Sequence, residues 1–265
     1  MKKYFVIGNP IEHSLSPKLH NYWFKKNNID AVYGKKKINP NDIKSLILKV
    51  RSEKINGLNV TVPFKKSVIP FLDDLTPLAN EAQSVNTIYK KNNKVVGHNT
   101  DIIGFELAMR KTNKDISNKT FFILGAGGVV SSILIAIKKM GASKIIISNR
   151  TKNKAEKLKK INPDLEVLNW GEVPTFDIII NATSLGLKKN DKIKLNYKNL
   201  GSNKLFYDLI YNPKETKFLS EAKKYGNHAE NGKMMFIYQA RQAFSIWHGV
   251  LPNINDEVLE MLDND

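Results

Sequence analysis

The sequence predicts an α/β protein of two domains, the first of which has a mostly parallel sheet. Short apolar, β-branched runs alternate with stretches of helical periodicity, the pattern of repeated βαβ units. The alternation starts again at Thr120, after a helical stretch over 102–112, which indicates a second sheet. With 265 residues, 42% of them hydrophobic, the chain is long enough to form two packed cores.

The first series of elements contains the first candidate functional residue. Its predicted strands are residues 4–8, 31–38, 57–62 and 85–89, and its predicted helices are residues 15–27 and 40–51. The segment Asn59-Val60-Thr61-Val62-Pro63-Phe64-Lys65-Lys66 predicts a strand ending at Thr61, a proline turn and a helix opening at Lys65. Because α/β proteins place chemistry where strands end, Lys65 is a candidate, with Asp101 at the start of the next helix as its candidate partner.

The second series predicts another buried sheet, followed by two C-terminal helices. Its strands are expected at 121–124, 144–148, 165–168, 176–180 and 205–207, with helices at 129–140, 151–160, 232–248 and 255–262. The last two helices are expected to pack back on the first domain. The predicted domains are therefore residues 1–101 with about 236–265, and residues 102–235.

Composition limits the classes of function. The absence of cysteine excludes a disulfide scaffold, a thiolate metal site and a thiol nucleophile. The net charge of +17 comes almost entirely from lysines scattered among asparagines, since the only arginines are Arg51, Arg110, Arg150 and Arg241. This scatter favours solvated faces, with a mild field that attracts small anions, over a nucleic-acid interface.

We expect a soluble, cytoplasmic protein without a membrane partner. A strand begins almost at the first residue, which leaves no room for a signal peptide. The uncharged run 121–137 is short for a membrane span and has glycines and serines at its centre. His13, His98 and His248 are interpreted as structural or peripheral residues, and no metal site is predicted, because ligand spacing is lacking.

Gly125-Ala126-Gly127-Gly128 follows a predicted strand and opens a predicted helix. This is the context of the dinucleotide fingerprint, in which glycines permit a tight turn and close approach of the backbone to a pyrophosphate. Val130, at the third glycine position of the fingerprint, is bulkier than usual. The motif thus predicts a Rossmann-type domain, and a glycine turn without ligand is the alternative.

The end of the next strand distinguishes between the two nicotinamide cofactors. An NAD site places an acidic residue there to bind the ribose 2′-hydroxyl, whereas this chain has Asn149-Arg150-Thr151 followed by Lys152 and Lys154. A guanidinium and ammonium groups suit a 2′-phosphate, and an arginine can also stack on adenine. The predicted cofactor is NADP(H).

Further motifs occur along the whole chain. Ser14 and Ser16 precede a predicted helix, where they could cap the helix or bind an anion. Five more segments are Ser84-Val85-Asn86-Thr87, Gly97-His98-Asn99-Thr100-Asp101, Asn181-Ala182-Thr183-Ser184-Leu185-Gly186, Tyr207-Asp208-Leu209-Ile210-Tyr211 and Tyr238-Gln239-Ala240. Together with the segments quoted above, and in the expected order, these motifs resemble those of the shikimate dehydrogenases.

The resemblance implies NADP-dependent reduction of 3-dehydroshikimate to shikimate, a step of chorismate and aromatic amino-acid biosynthesis. It implies a substrate carboxylate held by Ser14 and Ser16, and a proton-transfer pair of Lys65 and Asp101. The other implied substrate-binding residues are Thr61, Asn86, Tyr211 and Gln239. The implied cofactor-binding residues are Gly125, Ala126, Gly127, Gly128, Val129, Asn149, Arg150, Thr151, Lys154, Leu209 and Gly232.

The residue types suit the implied chemistry, because hydride transfer to a ketone creates an alkoxide that needs a proton and a nearby positive charge. Three positions depart from the family pattern: Pro77, Ile102 and Leu187. Two alternatives remain open, namely a quinate/shikimate dehydrogenase of relaxed specificity and a non-catalytic NADP-binding sensor. We expect the protein to bind a small-molecule substrate and not a nucleic acid. It is expected to be a monomer or a homodimer.

Overall fold

The computed structural model describes residues 1–188 and 190–263. The packing of Cα atoms divides the chain into two compact units. The first consists of Met1–Gly104 with the C-terminal part from Ile237, and the second of Phe105–Phe236. The predicted boundaries of the substrate and cofactor domains, between residues 101 and 102 and between residues 235 and 236, stay a prediction.

The described elements are twelve strands and nine α-helices. The strands are β1 (Lys2–Gly8), β2 (Ala31–Lys37), β3 (Gly57–Val60), β4 (Asp74–Leu75), β5 (Thr87–Lys91), β6 (Lys94–His98), β7 (Thr120–Leu124), β8 (Lys144–Ser148), β9 (Leu165–Leu168), β10 (Ile178–Asn181), β11 (Leu205–Asp208) and β12 (His228–Glu230). The helices are α1 (Ser16–Lys26), α2 (Ile43–Arg51), α3 (Pro77–Ala82), α4 (Asp101–Lys111), α5 (Val130–Lys139), α6 (Lys152–Ile161), α7 (Lys217–Lys224), α8 (Lys233–His248) and α9 (Asp256–Asp263).

The first unit has a six-stranded sheet in the order β2-β1-β3-β5-β6-β4. The pairs β1–β2, β1–β3 and β4–β6 are parallel, so the sheet is mostly parallel, as predicted. Two pairs, β3–β5 and β5–β6, are antiparallel. Strand β6 was not predicted, because the hairpin from β5 turns through Asn92 and Asn93, both at positive φ, amid polar residues.

The predicted helix at Lys65 is wrong. Residues 62–68 form successive turns, and a short 3₁₀ helix follows at Ile69–Phe71. Phe64 and Val68 are both buried and are joined by a 3.1 Å bond from Val68 N–H to the Phe64 carbonyl, so one helical turn begins. Pro70 has no N–H to donate to the Lys66 carbonyl, so the α-helical pattern stops there and the chain tightens into the 3₁₀ turn.

The second unit is a six-stranded parallel sheet in the order β12-β11-β10-β7-β8-β9. Numbered from β7, this is the 3-2-1-4-5-6 order of the Rossmann fold, which confirms the predicted fold class. Its central strands β7 and β10 are buried apart from Thr120 at the start of β7, and their near-continuous Ile and Phe content is typical of a parallel sheet covered on both faces.

The C-terminal helices pack on the first unit, as predicted. Trp23 Nε1 of α1 donates to the Asn253 carbonyl at 3.2 Å, and Tyr22 donates to Glu257 of α9 at 2.7 Å. The Tyr4 ring of β1 lies 4.9 Å from the Trp247 ring of α8, measured between centroids. None of the helices within the described residues is long and apolar enough to cross a membrane.

A histidine is buried in the aromatic cluster of the first unit. The His20 ring stacks on Tyr33 with centroids 4.3 Å apart and planes within 3°. Within the described part of the chain, neither His20 ring nitrogen has a hydrogen-bond partner. Burial, with a smaller contribution from His248, lowers the pKa of His20 to about 3. The ring is therefore neutral in the folded protein and would have to be buried as a cation in acid.

We expect this histidine to make the fold acid-sensitive. A free histidine titrates near 6.5, so the unfolded chain binds a proton at His20 that the folded chain excludes, and stability falls as pH decreases from about 6.5 toward 3. The loss at pH 5 is about 2 kcal/mol. His20→Phe should reduce the difference in unfolding free energy between pH 7 and pH 5 by this amount. His13→Phe replaces an exposed histidine and should retain the full difference between pH 7 and pH 5. Equal pH dependence of unfolding in both variants would contradict the claim that His20 causes the acid sensitivity.

Candidate active site

Lys65 and Asp101 form a buried ion pair in the first unit. Lys65 Nζ lies 2.6 Å from Asp101 Oδ2, and the two residues are 8% and 5% exposed. Lys65 is in the turns that follow β3, while Asp101 begins α4 after the two residues that follow β6. The predicted juxtaposition of the two residues is present in the structure, although Lys65 is held by a turn and not by a helix.

Asp101 is positioned by Asn99 and does not cap the helix itself. Asn99 Oδ1 accepts from the backbone N–H groups of Asp101 and Ile102 at 3.0 and 3.2 Å, and Asn99 Nδ2 donates to the Ser84 carbonyl at 2.8 Å. The Asp101 carboxylate lies in the first turn of α4, where the helix dipole favours negative charge. The capping amide thus leaves both carboxylate oxygens available to side chains.

Asn86 holds the second oxygen of that carboxylate. Its Nδ2 donates to Asp101 Oδ1 at 2.9 Å and to Thr100 Oγ1 at 2.9 Å, and lies 3.4 Å from Oε1 of Gln239 on α8. Its Oδ1 accepts from Thr100 N–H at 2.8 Å. Lys65, Asn86, Asp101 and Gln239 therefore form one connected group of polar side chains.

The remaining predicted substrate residues of the first unit are Ser14, Ser16 and Thr61. Ser14 Oγ and Ser16 Oγ are 3.2 Å apart at the start of α1, whose first residue is Ser16. Ser14 Oγ accepts a long 3.4 Å bond from Ser16 N–H, so helix capping uses these hydroxyls only weakly. Thr61 lies directly after β3, and its methyl group packs where a side chain on Gly8 would be.

The glycine turn of the second unit connects β7 to α5. Gly125 has φ +108°, and a Cβ there would lie 2.7 Å from the Ala182 carbonyl oxygen. A Cβ on Gly127 would meet nothing closer than 4.0 Å, so this side of the turn has open space. Ala126 N–H donates to Asn149 Oδ1 at 3.1 Å, which joins the turn to the end of β8.

The residues after β8 have the charge predicted for a 2′-phosphate. Asn149 Nδ2 donates to the Thr151 carbonyl at 2.7 Å and shapes this loop, on which Arg150 is exposed. Lys154 lies in the first turn of α6, and no acidic residue occurs between 149 and 154. A backbone-lined turn beside an exposed guanidinium fits a dinucleotide that carries a 2′-phosphate.

Leu209 and Gly232 lie against each other in the second unit. A Cβ on Gly232 would fall 2.2 Å from the Leu209 carbonyl oxygen, so only glycine permits this approach. The neighbouring Tyr211 ring stacks on Phe236 with centroids 4.6 Å apart. Burial raises the pKa of Asp208 to about 6 despite hydrogen bonds from Thr216, Ile210 and Asn181.

The two glycines of the turn provide a test that separates folding from cofactor binding. Gly125→Ala should lower the free energy of unfolding by about 2–3 kcal/mol, because alanine is strained at this φ and meets backbone. Gly127→Ala should leave the melting temperature nearly unchanged, yet raise the KM for NADP⁺ about tenfold by filling the open side of the turn. Thermal unfolding and initial rates measure the two effects, and an unchanged KM in Gly127→Ala would contradict its role.

Two family models match the chain. The model "Shikimate dehydrogenase substrate binding domain" matches residues 6–88, and "Shikimate / quinate 5-dehydrogenase" matches residues 106–216. A shikimate dehydrogenase (NADP(+)) of Pelagibacter ubique is 58% identical over 264 residues, covering 99% of this chain and 100% of the relative. The chain belongs to the shikimate dehydrogenase family.

Solved structures of shikimate dehydrogenases have the same fold. That of Aquifex aeolicus has a TM-score of 0.91 at 38% identity, and the match covers 100% of this chain and 98% of the other. Another, in complex with NADP⁺, has a TM-score of 0.90 at 36% identity, covering 100% and 94%. The recognised family and the predicted fold class are both confirmed.

The structure shows where the three residues that depart from the shikimate dehydrogenase pattern lie. Ile102 is buried in α4, and Pro77 occupies the first position of α3, where proline is favoured. Leu187 is 55% exposed. Among the residues that the structure describes, no group of three or more His, Asp or Glu side chains could hold a metal ion.

Four residues that support the Lys65–Asp101 pair were not predicted, namely Asn59, Thr87, Asn99 and Thr100. All four are buried polar residues within two positions of a predicted site residue. The available signal was an asparagine inside an otherwise apolar strand, since such a residue needs buried hydrogen-bond partners.

Proposed function

We propose that this chain is an NADP-dependent oxidoreductase that interconverts 3-dehydroshikimate and shikimate, with Lys65 and Asp101 as its proton-transfer pair. The observation that carries the proposal is the buried 2.6 Å contact between Lys65 Nζ and Asp101 Oδ2. Buried ion pairs contribute little net stability, so the buried lysine on this turn is better explained by chemistry. Chain-long identity to shikimate dehydrogenases supports the same activity.

The pair can hold and move a proton at the reacting oxygen. Reduction of the ketone places negative charge on that oxygen, and the Lys65 ammonium stabilises the charge and donates a proton to it. In the reverse direction the pair accepts the hydroxyl proton. Asp101, held by Asn86 on its other oxygen, aims the lysine and remains hydrogen-bonded throughout.

We assign the cofactor to the second unit. When bound, NADPH supplies the hydride that reduces the ketone. Gly125, Ala126, Gly127, Gly128 and Val129 would receive the pyrophosphate, while Asn149, Arg150, Thr151 and Lys154 would hold the adenosine 2′-phosphate. Leu209 and Gly232 complete the proposed set. The open side of the turn at Gly127 and the exposed guanidinium of Arg150 support this assignment.

Substrate orientation is assigned chiefly to hydroxyls and amides of the first unit. The Ser14 and Ser16 hydroxyls, 3.2 Å apart, would bind the carboxylate. Thr61, Asn86, Asp101 and Gln239 would bind the ring hydroxyls, and Tyr211 completes the proposed set of substrate residues. We also propose a cytoplasmic location. The protein is proposed to be a monomer or a homodimer, and sedimentation of the purified protein would distinguish these two states.

Initial rates with shikimate or quinate, each paired with NADP⁺ or NAD⁺, test this function. The shikimate–NADP⁺ pair should have the highest kcat/KM, at least about tenfold above either single replacement, because the specificity depends on matched polar groups. The second family model also names quinate, so a relaxed quinate/shikimate dehydrogenase is the alternative. Comparable rates with quinate and NAD⁺ would favour it, and NADP⁺ binding without turnover would favour a sensor.

A further inference from the structure

A chain of buried hydrogen bonds runs from Tyr33 of β2 to the carboxylate of Asp101. Tyr33 Oη donates to Asn59 Oδ1 at 2.6 Å. Asn59 Nδ2 donates to the Asn86 backbone carbonyl at 3.0 Å and to Thr87 Oγ1 at 3.1 Å. Thr87 Oγ1 in turn donates to Asn86 Oδ1 at 3.1 Å, and Asn86 Nδ2 reaches Asp101.

The chemistry of the groups sets the direction of this chain. A backbone carbonyl only accepts, so Asn59 must turn its Nδ2 toward Asn86 and its Oδ1 toward Tyr33. Because Thr87 Oγ1 then receives a hydrogen from Asn59, its own hydrogen is directed to Asn86 Oδ1. With Oδ1 supplied by Thr87 and Thr100, the Asn86 amide must present its Nδ2 to Asp101.

The start of the chain is held rigidly. Tyr33 is 2% exposed, and its ring is stacked on His20 with planes within 3°. Asn59 is 6% exposed. Removing the Tyr33 hydroxyl would therefore leave Asn59 Oδ1 buried without that hydrogen-bond donor. An unpaired buried acceptor is unfavourable, and the amide would rotate toward other donors. That rotation would weaken both bonds that Asn59 donates.

We propose that Tyr33 is a positioning residue for the reaction, acting through Asn59, Thr87 and Asn86 on the orientation of the Asp101 carboxylate. The proposal rests on the proposed function of Lys65 and Asp101 as the proton-transfer pair. Tyr33 itself is assigned no contact with substrate, cofactor or the reacting proton. Its role is to keep the Asp101 carboxylate aligned with Lys65, so its removal should affect kcat more than KM.

The test is a double-mutant cycle between Tyr33→Phe and Asn86→Ala, measured as kcat for shikimate oxidation below the unfolding temperature of each variant. Tyr33→Phe should lower kcat about tenfold, the effect of losing one aligned hydrogen bond, with an unchanged KM for NADP⁺. In the Asn86→Ala background the same change should lower kcat less than twofold, because the path to Asp101 is already broken. A purely structural effect would be additive, and additivity would overturn the proposal.

Two controls separate the possible outcomes. Tyr4 is the register partner of Tyr33 on β1, is equally buried and lies in the same aromatic cluster, so Tyr4→Phe removes the same atom outside the chain of bonds. Its kcat should stay within twofold of the unmodified protein. Thr87→Ser should preserve kcat while Thr87→Val lowers it.

If Lys65→Ala retained full activity, the proposed function of the Lys65–Asp101 pair would fail. If Lys65→Ala were inactive but the Tyr33 and Asn86 substitutions were additive, the proposed function would stand and the inference about Tyr33 would fail.

Discussion

Replacing Lys65 by alanine should lower kcat for shikimate oxidation by about 10²–10⁴-fold, the range expected for loss of a general acid–base group. The KM for shikimate should change little, because the carboxylate and the other hydroxyls keep their proposed partners. This pattern indicates the loss of an interaction made mainly in the transition state. Steady-state rates at saturating NADP⁺ measure it.

The neighbouring lysine is a matched control for this prediction. Lys66 has the same side chain on the same turn but is exposed, whereas Lys65 is 8% exposed and paired with Asp101. Lys66→Ala should retain the activity of the unmodified protein. A rise in KM alone for Lys65→Ala would make Lys65 a binding residue, and equal losses in both variants would refute its place in the proton-transfer pair.

Replacing Arg150 by alanine should raise the KM for NADP⁺ about 10–100-fold, since hydrogen bonds to a charged group are worth about 1.5–3 kcal/mol each. The KM for shikimate should change less than about threefold, because Arg150 is assigned no substrate contact. The KM for NAD⁺, which lacks the 2′-phosphate, should hardly change. The ratio of the two cofactor constants therefore measures recognition of that phosphate directly.

Arg110 is the control for this second prediction. It is also an exposed arginine, but it is paired with Glu106 in α4 at 2.9 Å. Arg110→Ala should leave both cofactor constants unchanged. If Arg150→Ala left the KM for NADP⁺ unchanged, the assignment of Arg150 to the 2′-phosphate would be wrong, even though the family membership would stand.

Much of the fold followed from short-range patterns. The β7–α5–β8 unit was predicted within one residue at each boundary, because its strands and most of its helix are continuous, largely apolar runs separated by turn residues. The β5–β6 hairpin was only half predicted, since Lys90–Lys94 is polar and its turn depends on two asparagines at positive φ. The helix at Lys65 was mispredicted because the helical turn that begins between Phe64 and Val68 is stopped by Pro70, which has no N–H to continue it.

Three features could be predicted without coordinates: the two-sheet α/β fold class, the glycine turn with basic residues after the next strand, and Lys65 and Asp101 as candidates. These depend on residue type and local order, which are written directly in the chain. The folded chain was needed to show that Lys65 Nζ and Asp101 Oδ2 are 2.6 Å apart, and that Asn99 and Asn86 orient the carboxylate. This is because β3, β5 and β6 become neighbours through long-range strand pairing, so two residues 36 positions apart in sequence form one hydrogen bond.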